Sequence, residues 1–198
     1  MISFSHVRRH FGSETVLDGV SFQVQKGERV SVIGPGGCGK TTALKLLLGL
    51  LPCNEGEVEL LGTNLWKAKE SERSQVLRNV GMAFQQGGLF DFHTVRENLA
   101  FAMRAMTDAD EESIANRIRE LLSGVKLPQT EDMYPHELSG GMKRRVGIAR
   151  ALCNDPTVAL FDEPTSGLDP VTSTIILNMI KSMVGEREDK TVLVSTTN

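Results

Sequence analysis

A glycine-rich stretch at residues 34–41 constrains the fold more than any other feature of this 198-residue chain. It reads Gly34-Pro35-Gly36-Gly37-Cys38-Gly39-Lys40-Thr41 and lies between a strand-like run, Arg29 to Ile33, and a helix-like run, Thr41 to Leu51. The spacing G-x-x-x-x-G-K-T is that of a phosphate-binding loop, whose backbone N–H groups surround an anion at a helix N-terminus. The alternative is a glycine-rich turn that happens to end in Lys-Thr, which the flanking strand and helix disfavour. We therefore expect the chain to bind a nucleoside triphosphate.

Four side chains in two places have the chemistry that a triphosphate and its metal require. Lys40 would reach the β- and γ-phosphates, and the Thr41 hydroxyl would ligate Mg²⁺. Asp162 and Glu163 follow the apolar run Val158 to Phe161, which is typical of a buried strand. At the carboxyl end of such a strand, Asp162 can hold Mg²⁺ and Glu163 can polarise an attacking water. The alternative, a pair of solvated surface acids, is disfavoured by the apolar run before them.

The order of predicted elements indicates an α/β chain that begins with an antiparallel β element and passes into a mixed sheet core. Apolar and polar residues alternate from Val20 to Gln25, which is typical of a half-exposed antiparallel strand. Between Phe92 and Glu137 the patterns are helical, and Thr94 and Glu97 fit a capping box at a helix start. Further strands are predicted at 2–11, 29–33, 57–61, 80–84, 158–161 and 191–195. Helices are predicted at 41–51 and from near 94, 108, 140 and 169, with a helical or irregular segment at 67–77.

A second candidate anion site precedes a later helix. Ser139, Gly140 and Gly141 lie at the predicted start of that helix, where backbone N–H groups are unpaired. Because the first loop already accounts for the phosphates, the second site is expected to contact the nucleotide of another molecule.

Composition excludes several classes of protein. The net charge of −3 does not support a nucleic-acid-binding surface, so no nucleic-acid partner is expected. The three cysteines are widely spaced, which indicates neither a disulfide framework nor a zinc site and favours a reducing cytosol. The N-terminus lacks the apolar core of a signal peptide, and no uncharged apolar run is long enough to span a bilayer. Work at a membrane would therefore need a partner.

Three features leave two interpretations open. Phe11, upstream of the glycine-rich loop, can stack on an adenine ring or can be a core aromatic at a strand end. Leu89, Phe90 and Phe92 form an apolar cluster that either fills the core or makes a docking surface for a partner. Cys38 lies at a helix N-terminus, where a thiolate is favoured, or is simply a small residue that the loop tolerates.

These residues together resemble the ATP-binding-cassette (ABC) ATPases over nearly the whole chain. Leu138-Ser139-Gly140-Gly141-Met142 is similar to the family's signature, which usually ends in Gln. Ala159 to Thr165 looks like the Walker B segment, and Ser166 to Asp169 matches the loop that follows it. Within the family, the Met-ending signature and residues 143–150 most resemble the Mla/Mce-type ATPases. Those drive phospholipid or other lipid movement between the membranes of Gram-negative bacteria and their relatives.

The resemblance implies a head-to-tail dimer, with a second copy or a related ATPase, that sandwiches two ATP molecules with Mg²⁺. The phosphate loop of one subunit would face the signature of the other. Lys40, Gln85 and Glu163 would be catalytic, with Glu163 as the general base and Gln85 sensing Mg²⁺ and the attacking water. Thr41, Gln85 and Asp162 would serve the metal, and Asp169 would lie near the dimer seam. The implied nucleotide-binding residues are Phe11, Gly34, Pro35, Gly36, Gly37, Cys38, Gly39, Lys40, Thr41 and Thr42.

The resemblance also implies a domain organisation and a partner. Residues 1–198 would form one ABC ATPase domain, with the core and the antiparallel β subdomain at about 1–91 and 155–198. The helical subdomain would occupy about 92–154, and the strand and helices that normally end the domain are missing. The segment after Gln85 would accept a coupling helix from a transmembrane permease subunit. The chain would then lie peripherally on the cytoplasmic face of the inner membrane.

One departure from the family pattern separates two functions. Family members usually carry a histidine after the last strand, where this chain has Thr196 or Thr197. A threonine cannot become cationic, so we predict slow hydrolysis with ATP binding retained. The leading hypothesis is an ATP-hydrolysing subunit that powers a membrane transporter of phospholipid or other lipid. The alternative is a regulatory module that dimerises on ATP but barely hydrolyses it. A DNA-repair ATPase would need a long coiled-coil insertion, which this sequence lacks.

Overall fold

The fold is described from a computed structural model, which covers residues 1–185 and 189–197. The strands are β1 (Ile2–Phe11), β2 (Glu14–Val24), β3 (Arg29–Ile33), β4 (Glu55–Leu60), β5 (Val80–Ala83), β6 (Val158–Asp162) and β7 (Thr191–Thr196). The α-helices are α1 (Lys40–Leu47), α2 (Glu70–Leu77), α3 (Val95–Met106), α4 (Glu111–Gly124), α5 (Gly140–Ala151) and α6 (Pro170–Val184). A short 3₁₀ helix, Pro135–Glu137, precedes α5.

Two sheets organise these elements. An antiparallel sheet has the order β2-β1-β4, and a parallel sheet has the order β3-β7-β6-β5. Every residue of β6 is buried, as expected for a strand covered on both faces of a parallel sheet. Because parallel strands end at the same edge, the loop after β3 and the acids after β6 meet across β7. The predicted α/β fold, with an antiparallel β element and an inserted group of helices, is confirmed.

The first inserted helix begins where its capping box predicted, and the second begins at Glu111, three residues after the predicted start near residue 108. The Thr94 hydroxyl accepts the Glu97 N–H, and the Glu97 carboxylate accepts the Thr94 N–H, which closes the capping box before α3. Asp110 caps α4 by accepting the Ser113 N–H at 2.8 Å. The apolar face of α4 is buried and consists of Ile114, Ile118, Leu121 and Leu122. The division of the chain into subdomains near residues 91 and 155 stays a prediction.

Several element boundaries differ from the prediction. The second strand starts at Glu14 instead of Val20, because it pairs with β1 along its whole length from a tight turn at Phe11 and Glu14. The helix after the glycine-rich loop ends at Leu47 instead of Leu51, since Gly49 adopts a left-handed φ of +64° and lies against Leu65. The strands predicted at 2–11 and 29–33 have the predicted bounds, and β4, β5, β6 and β7 differ from the prediction by one or two residues. The polar segment 67–77 is helical from Glu70.

No helix within residues 1–185 and 189–197 combines the length and the apolar character that crossing a bilayer requires.

Candidate nucleotide site

The glycine-rich loop passes from β3 into α1 through a backbone conformation that only glycine adopts freely. Gly39, directly before α1, has a φ of +98°. A Cβ at this position would meet a Leu17 methyl group at 2.8 Å and the Val16 carbonyl oxygen at 3.0 Å. The spacing of the motif is therefore a steric requirement here, because the loop turns against β2 before the helix begins.

The Lys40 side chain folds back over the glycine-rich loop that precedes α1. Its side chain is 4% exposed, and its ammonium group donates to the carbonyl oxygens of Gly34 at 2.7 Å and Pro35 at 2.9 Å. The same Nζ atom lies 3.1 Å from Oε1 of Glu163, whose side chain is 14% exposed. Two candidate catalytic residues that are far apart in the sequence therefore form a largely buried ion pair.

Two of the three predicted metal ligands, Thr41 and Asp162, are also in direct contact. The Thr41 hydroxyl donates to Asp162 Oδ2 at 2.8 Å, and the Asp162 side chain is buried. A hydroxyl and a carboxylate side by side fit Mg²⁺, which prefers oxygen ligands and takes one or two carboxylates together with phosphate and water. Within the described residues, no group of three or more His, Cys, Asp or Glu forms a metal site.

Ser195 joins this cluster although the sequence did not single it out as a site residue. It is fully buried in β7, where the parallel register pairs it with Asp162 on one side and Val32 on the other. Its hydroxyl donates to Asp162 Oδ1 at 2.7 Å and accepts the Glu163 N–H at 3.0 Å. The available signal was a serine that directly follows the apolar run Val192 to Val194.

Gln85 lies beyond the end of β5 and contacts the loop after Glu163. Its side-chain amide donates to the Ser166 hydroxyl at 3.2 Å, and its backbone carbonyl accepts from Arg144 at 3.1 Å. Gln85 thus connects the Walker B loop to α5. A role at the metal stays a prediction, since the contact seen is to Ser166.

Phe11 is at the surface, so its interpretation as a core aromatic is wrong. The ring is 46% exposed at the end of β1, and the Arg9 guanidinium carbon lies 4.4 Å from its centroid. An exposed ring next to a cation leaves a face on which another planar group can stack. Stacking on adenine stays a prediction.

The signature segment is a well-formed helix start with an open surface. Leu138 is buried, while Ser139 caps α5 by accepting the Met142 N–H at 3.2 Å. A Cβ on Gly140 or Gly141 would meet nothing within 4 Å, so the space in front of these glycines is open. The segment is therefore accessible to a second molecule, and its role toward a partner's ATP stays a prediction.

The residues predicted for the dimer seam and for the histidine position lie at the ends of elements. Asp169 caps α6 by accepting the Thr172 N–H at 3.0 Å, and its hydrogen bonds to the Thr172 side chain and backbone lower the pKa of its carboxyl group. Thr196 is the last residue of β7, and its carbonyl accepts the Gly34 N–H at 3.2 Å. Thr197 follows the strand and is exposed. Thr197 is thus the first residue after the end of β7, next to the start of the glycine-rich loop.

The apolar cluster after Gln85 divides between the core and the surface. Leu89 packs against the buried core, whereas Phe92 is 94% exposed, so the core interpretation is wrong for Phe92. Phe90 and Phe101 are about half exposed, and their rings meet edge to face with 5.2 Å between centroids. The structure therefore presents an aromatic surface, defined here as Phe90, Phe92 and Phe101.

A buried asparagine holds the loop that carries this surface, and the sequence did not single it out. Asn98 Oδ1 accepts the Phe90 N–H at 2.8 Å, and its amide nitrogen donates to the carbonyls of Phe90, His93 and Thr94 at 3.0–3.1 Å. All of its hydrogen-bonding atoms are thus used within the loop. Next to the aromatic surface is a groove of about 270 Å³, lined by Leu50, Met82, Phe84, Ala102 and Met106 among others.

The three cysteines differ in exposure, which permits a labelling test. Cys38 is exposed, with Sγ 4.0 Å from Lys40 Nζ, whereas burial raises the pKa of Cys153 to about 11. We expect iodoacetamide at pH 8 to modify Cys38 and to leave Cys153 unmodified, because the Cys153 thiol stays protonated. At an ATP concentration of about ten times Kd, modification of Cys38 should slow about tenfold, since the free fraction of the protein falls by 1 + [ATP]/Kd. Mass spectrometry of the labelled peptides measures both rates.

Labelling of Cys38 at an unchanged rate in saturating Mg-ATP would contradict contact between the loop and the nucleotide. The Cys38→Ala variant serves as the control. If the residue is only a small group that the loop tolerates, this variant binds ATP normally and becomes insensitive to iodoacetamide.

Comparison with known proteins now adds to this geometry. The ABC transporter family model matches residues 17–166. Protein TRIGALACTOSYLDIACYLGLYCEROL 3, chloroplastic, of Arabidopsis thaliana is 41% identical over 96% of this chain and 56% of its own length. The probable amino-acid ABC transporter ATP-binding protein y4tH of Sinorhizobium fredii is 40% identical over 99% of this chain and 79% of its own length. The intermembrane phospholipid transport system ATP-binding protein MlaF of Haemophilus influenzae is 38% identical over 87% of this chain and 65% of its own length.

The chain thus spans less than two thirds of two of these relatives and about four fifths of the third. Among solved structures, it resembles a dimeric, post-hydrolysis structure of the ATP-binding cassette MJ0796 bound to ADP and Pi. The TM-score is 0.89 with 32% sequence identity, over all of this chain and 88% of that one. The glycine-rich loop, the acids after β6 and these likenesses agree, and the chain belongs to the ABC transporter family as an ATP-binding domain.

Proposed function

We propose that this chain binds and hydrolyses ATP to power a membrane transporter. The observation that carries the proposal is the ion pair between Lys40 and Glu163, 3.1 Å apart at the sheet edge where Thr41 and Asp162 also meet. A phosphate-binding cation, a metal-binding pair and a candidate general base in one place are the parts that phosphoryl transfer to water needs. The direct test is phosphate release from Mg-ATP by the purified chain. It should saturate with ATP and stop in EDTA.

The ion pair suggests an exchange of partners when ATP binds. Lys40 would leave Glu163 for the β- and γ-phosphates, which are stronger anionic partners. Glu163 then loses its cation and becomes able to accept a proton from the attacking water. Thr41 and Asp162 would hold Mg²⁺, which when bound neutralises charge on the phosphates. The nucleotide-free chain would therefore keep its general base occupied.

The catalytic unit in this proposal is a head-to-tail dimer. The open space before Gly140 and Gly141 supports it, because those backbone N–H groups then face the phosphates of a partner's ATP. The dimeric form of the MJ0796 cassette is a further support. Asp169 would lie at the seam, and Gln85 would respond to the metal.

A second candidate function rests on Thr197. A chain without the histidine lacks a side chain that can carry a positive charge near the γ-phosphate. The alternative is therefore a module that dimerises on ATP and barely hydrolyses it. An ATP-dependent dimer that releases no phosphate would support this alternative over the transporter motor.

We further propose that the partner is a transmembrane permease and that the complex moves phospholipid or another lipid. The chain would then lie on the cytoplasmic face of the membrane. The similarity to MlaF and the Met142 ending of the signature support lipid, whereas the similarity to y4tH supports an amino acid. In proteoliposomes that contain the permease, ATP hydrolysis should rise with phospholipid. A rise with an amino acid instead would contradict the lipid assignment.

The aromatic surface is the proposed contact for the permease. We expect Phe92→Ser to weaken binding to the permease by about 1 to 3 kcal/mol, as truncation of a buried interface aromatic commonly does. Basal ATP binding should not change, because Phe92 is 94% exposed and apart from the nucleotide site. Trp66→Ser is the matched control, since Trp66 is a 53% exposed aromatic after β4. Equal loss of affinity in both variants, measured by biolayer interferometry on the permease, would refute the assignment.

A further inference from the structure

Ser195 occupies a central position in the parallel sheet. It lies on β7, between the strand that leads into the glycine-rich loop and the strand that ends in Asp162. The register places it beside Val32 on one strand and Asp162 on the other. Residues that are paired across parallel strands project to the same face of the sheet. The Ser195 side chain therefore reaches the Asp162 carboxylate without any change in backbone position.

The Ser195 hydroxyl uses its donor and an acceptor at the site. It donates to Asp162 Oδ1 at 2.7 Å, while Thr41 donates to Asp162 Oδ2 at 2.8 Å. The Asp162 carboxylate is thereby held at both oxygens. When Thr41 serves as the proposed metal ligand, the Ser195 hydroxyl still restrains Asp162 through Oδ1.

The same hydroxyl supports the backbone at the general base. The Glu163 N–H donates both to Ser195 Oγ at 3.0 Å and to the Ser195 carbonyl at 3.1 Å. Glu163 has a φ of +44°, in the left-handed region that residues with a Cβ rarely adopt. Such a conformation persists where its surroundings hold it in place. Ser195 thus contacts both acids of the Walker B pair through one oxygen atom.

We infer that Ser195 is a positioning residue that orients the Asp162 carboxylate for Mg²⁺ and holds Glu163 in its left-handed conformation. The importance of Ser195 for catalysis rests on the proposed function. Its effect on metal binding does not, because metal binding can be measured without turnover. An apolar residue at position 195 would leave Asp162 restrained by Thr41 and Glu163 restrained by one backbone bond.

The test is the contribution of Mg²⁺ to nucleotide affinity. The affinity for adenylyl imidodiphosphate, which is not hydrolysed, is measured by calorimetry in Mg²⁺ and in EDTA, and the ratio of the two reports the metal. We expect Ser195→Ala to lower this ratio about tenfold, as loss of a hydrogen bond to a metal-binding carboxylate commonly does. The affinity in EDTA should not change, since the glycine-rich loop is intact. Ser195→Thr retains the hydroxyl and should restore the ratio.

The matched control is Thr191→Val on the same strand. Thr191 is also fully buried, and its hydroxyl accepts a backbone N–H, that of Gly27, at 2.9 Å. Both variants should lower the melting temperature, but only Ser195→Ala should change the ratio of nucleotide affinities in Mg²⁺ and in EDTA. Equal ratios in the two variants would show that Ser195 only packs and would overturn the inference.

Two other results, an insoluble Ser195→Ala variant and a wild-type chain without hydrolysis, would still allow the role of Ser195 to be decided. If Ser195→Ala is insoluble, Ser195→Cys retains the volume with a weak donor, and its ratio should fall below that of Ser195→Thr. Equal ratios for the Cys and Thr variants would then overturn the inference. A wild-type chain that releases no phosphate would refute the proposed hydrolysis, and the binding ratios would still decide the role of Ser195.

Discussion

Replacing Glu163 by Gln is expected to lower phosphate release from Mg-ATP by about 10² to 10⁴, the range that a general base supplies. Glutamine matches glutamate in size and can still accept a hydrogen bond from Lys40, but it cannot take a proton from water. Binding of ATP should persist, and with it the dimer that the nucleotide completes. Size-exclusion chromatography in Mg-ATP should therefore show a dimer for Glu163→Gln that decays much more slowly than that of the wild type.

The control for this variant is Glu111→Gln. Glu111 pairs with Arg104 at the surface of α4, so its loss should leave the rate unchanged. If the chain is the hydrolysis-impaired module, Glu163→Gln changes little, because the wild-type rate is already low. A substantial wild-type rate that Glu163→Gln leaves intact would exclude Glu163 as the base.

Introducing a histidine at position 197 is expected to raise turnover by up to about 10²-fold, the effect of one well-placed donor to a transition state. Histidine donates a hydrogen bond and can become cationic, whereas threonine can donate a hydrogen bond but cannot become cationic. Position 197 is suited to this role because it follows β7 directly, and β7 ends where the Thr196 carbonyl accepts the Gly34 N–H. Phosphate release at saturating ATP measures the gain.

Two variants separate the charge from the position. Thr197→Asn adds a donor that cannot ionise and should give a much smaller gain. Thr196→His places the ring within the strand ladder beside Ile33 and should give no gain. A wild-type rate equal to that of histidine-bearing relatives would refute the prediction of slow hydrolysis and, with it, the hydrolysis-impaired alternative.

Local signals in the sequence were sufficient for much of this structure. The spacing of Gly34 to Thr41 predicted the strand, loop and helix, and the capping box of Thr94 and Glu97 predicted where α3 begins. The capping signal depends on contacts between residues at most a few positions apart, so no knowledge of the tertiary structure was needed for it. Helix ends were less certain because, as at Gly49, they depend on packing against a distant segment.

The sequence by itself thus determined the fold class, the strand, loop and helix around Gly34 to Thr41, and the place of Asp162 and Glu163 at the end of a buried strand. Only the tertiary structure decided that Lys40 pairs with Glu163, that Ser195 holds Asp162, and that Phe11 and Phe92 lie at the surface. The reason is physical: the contacts of Lys40 and Ser195 follow from the order and register of the parallel strands β3, β7 and β6, and the paired residues of these strands are more than 30 positions apart in the chain. The exposure of Phe11 and Phe92 likewise depends on how distant segments pack, which periodicity alone does not show. The sequence of one strand does not show whether a buried serine only packs in the core or contacts a site residue. For Ser195, the distinction comes from its neighbour Asp162 on β6.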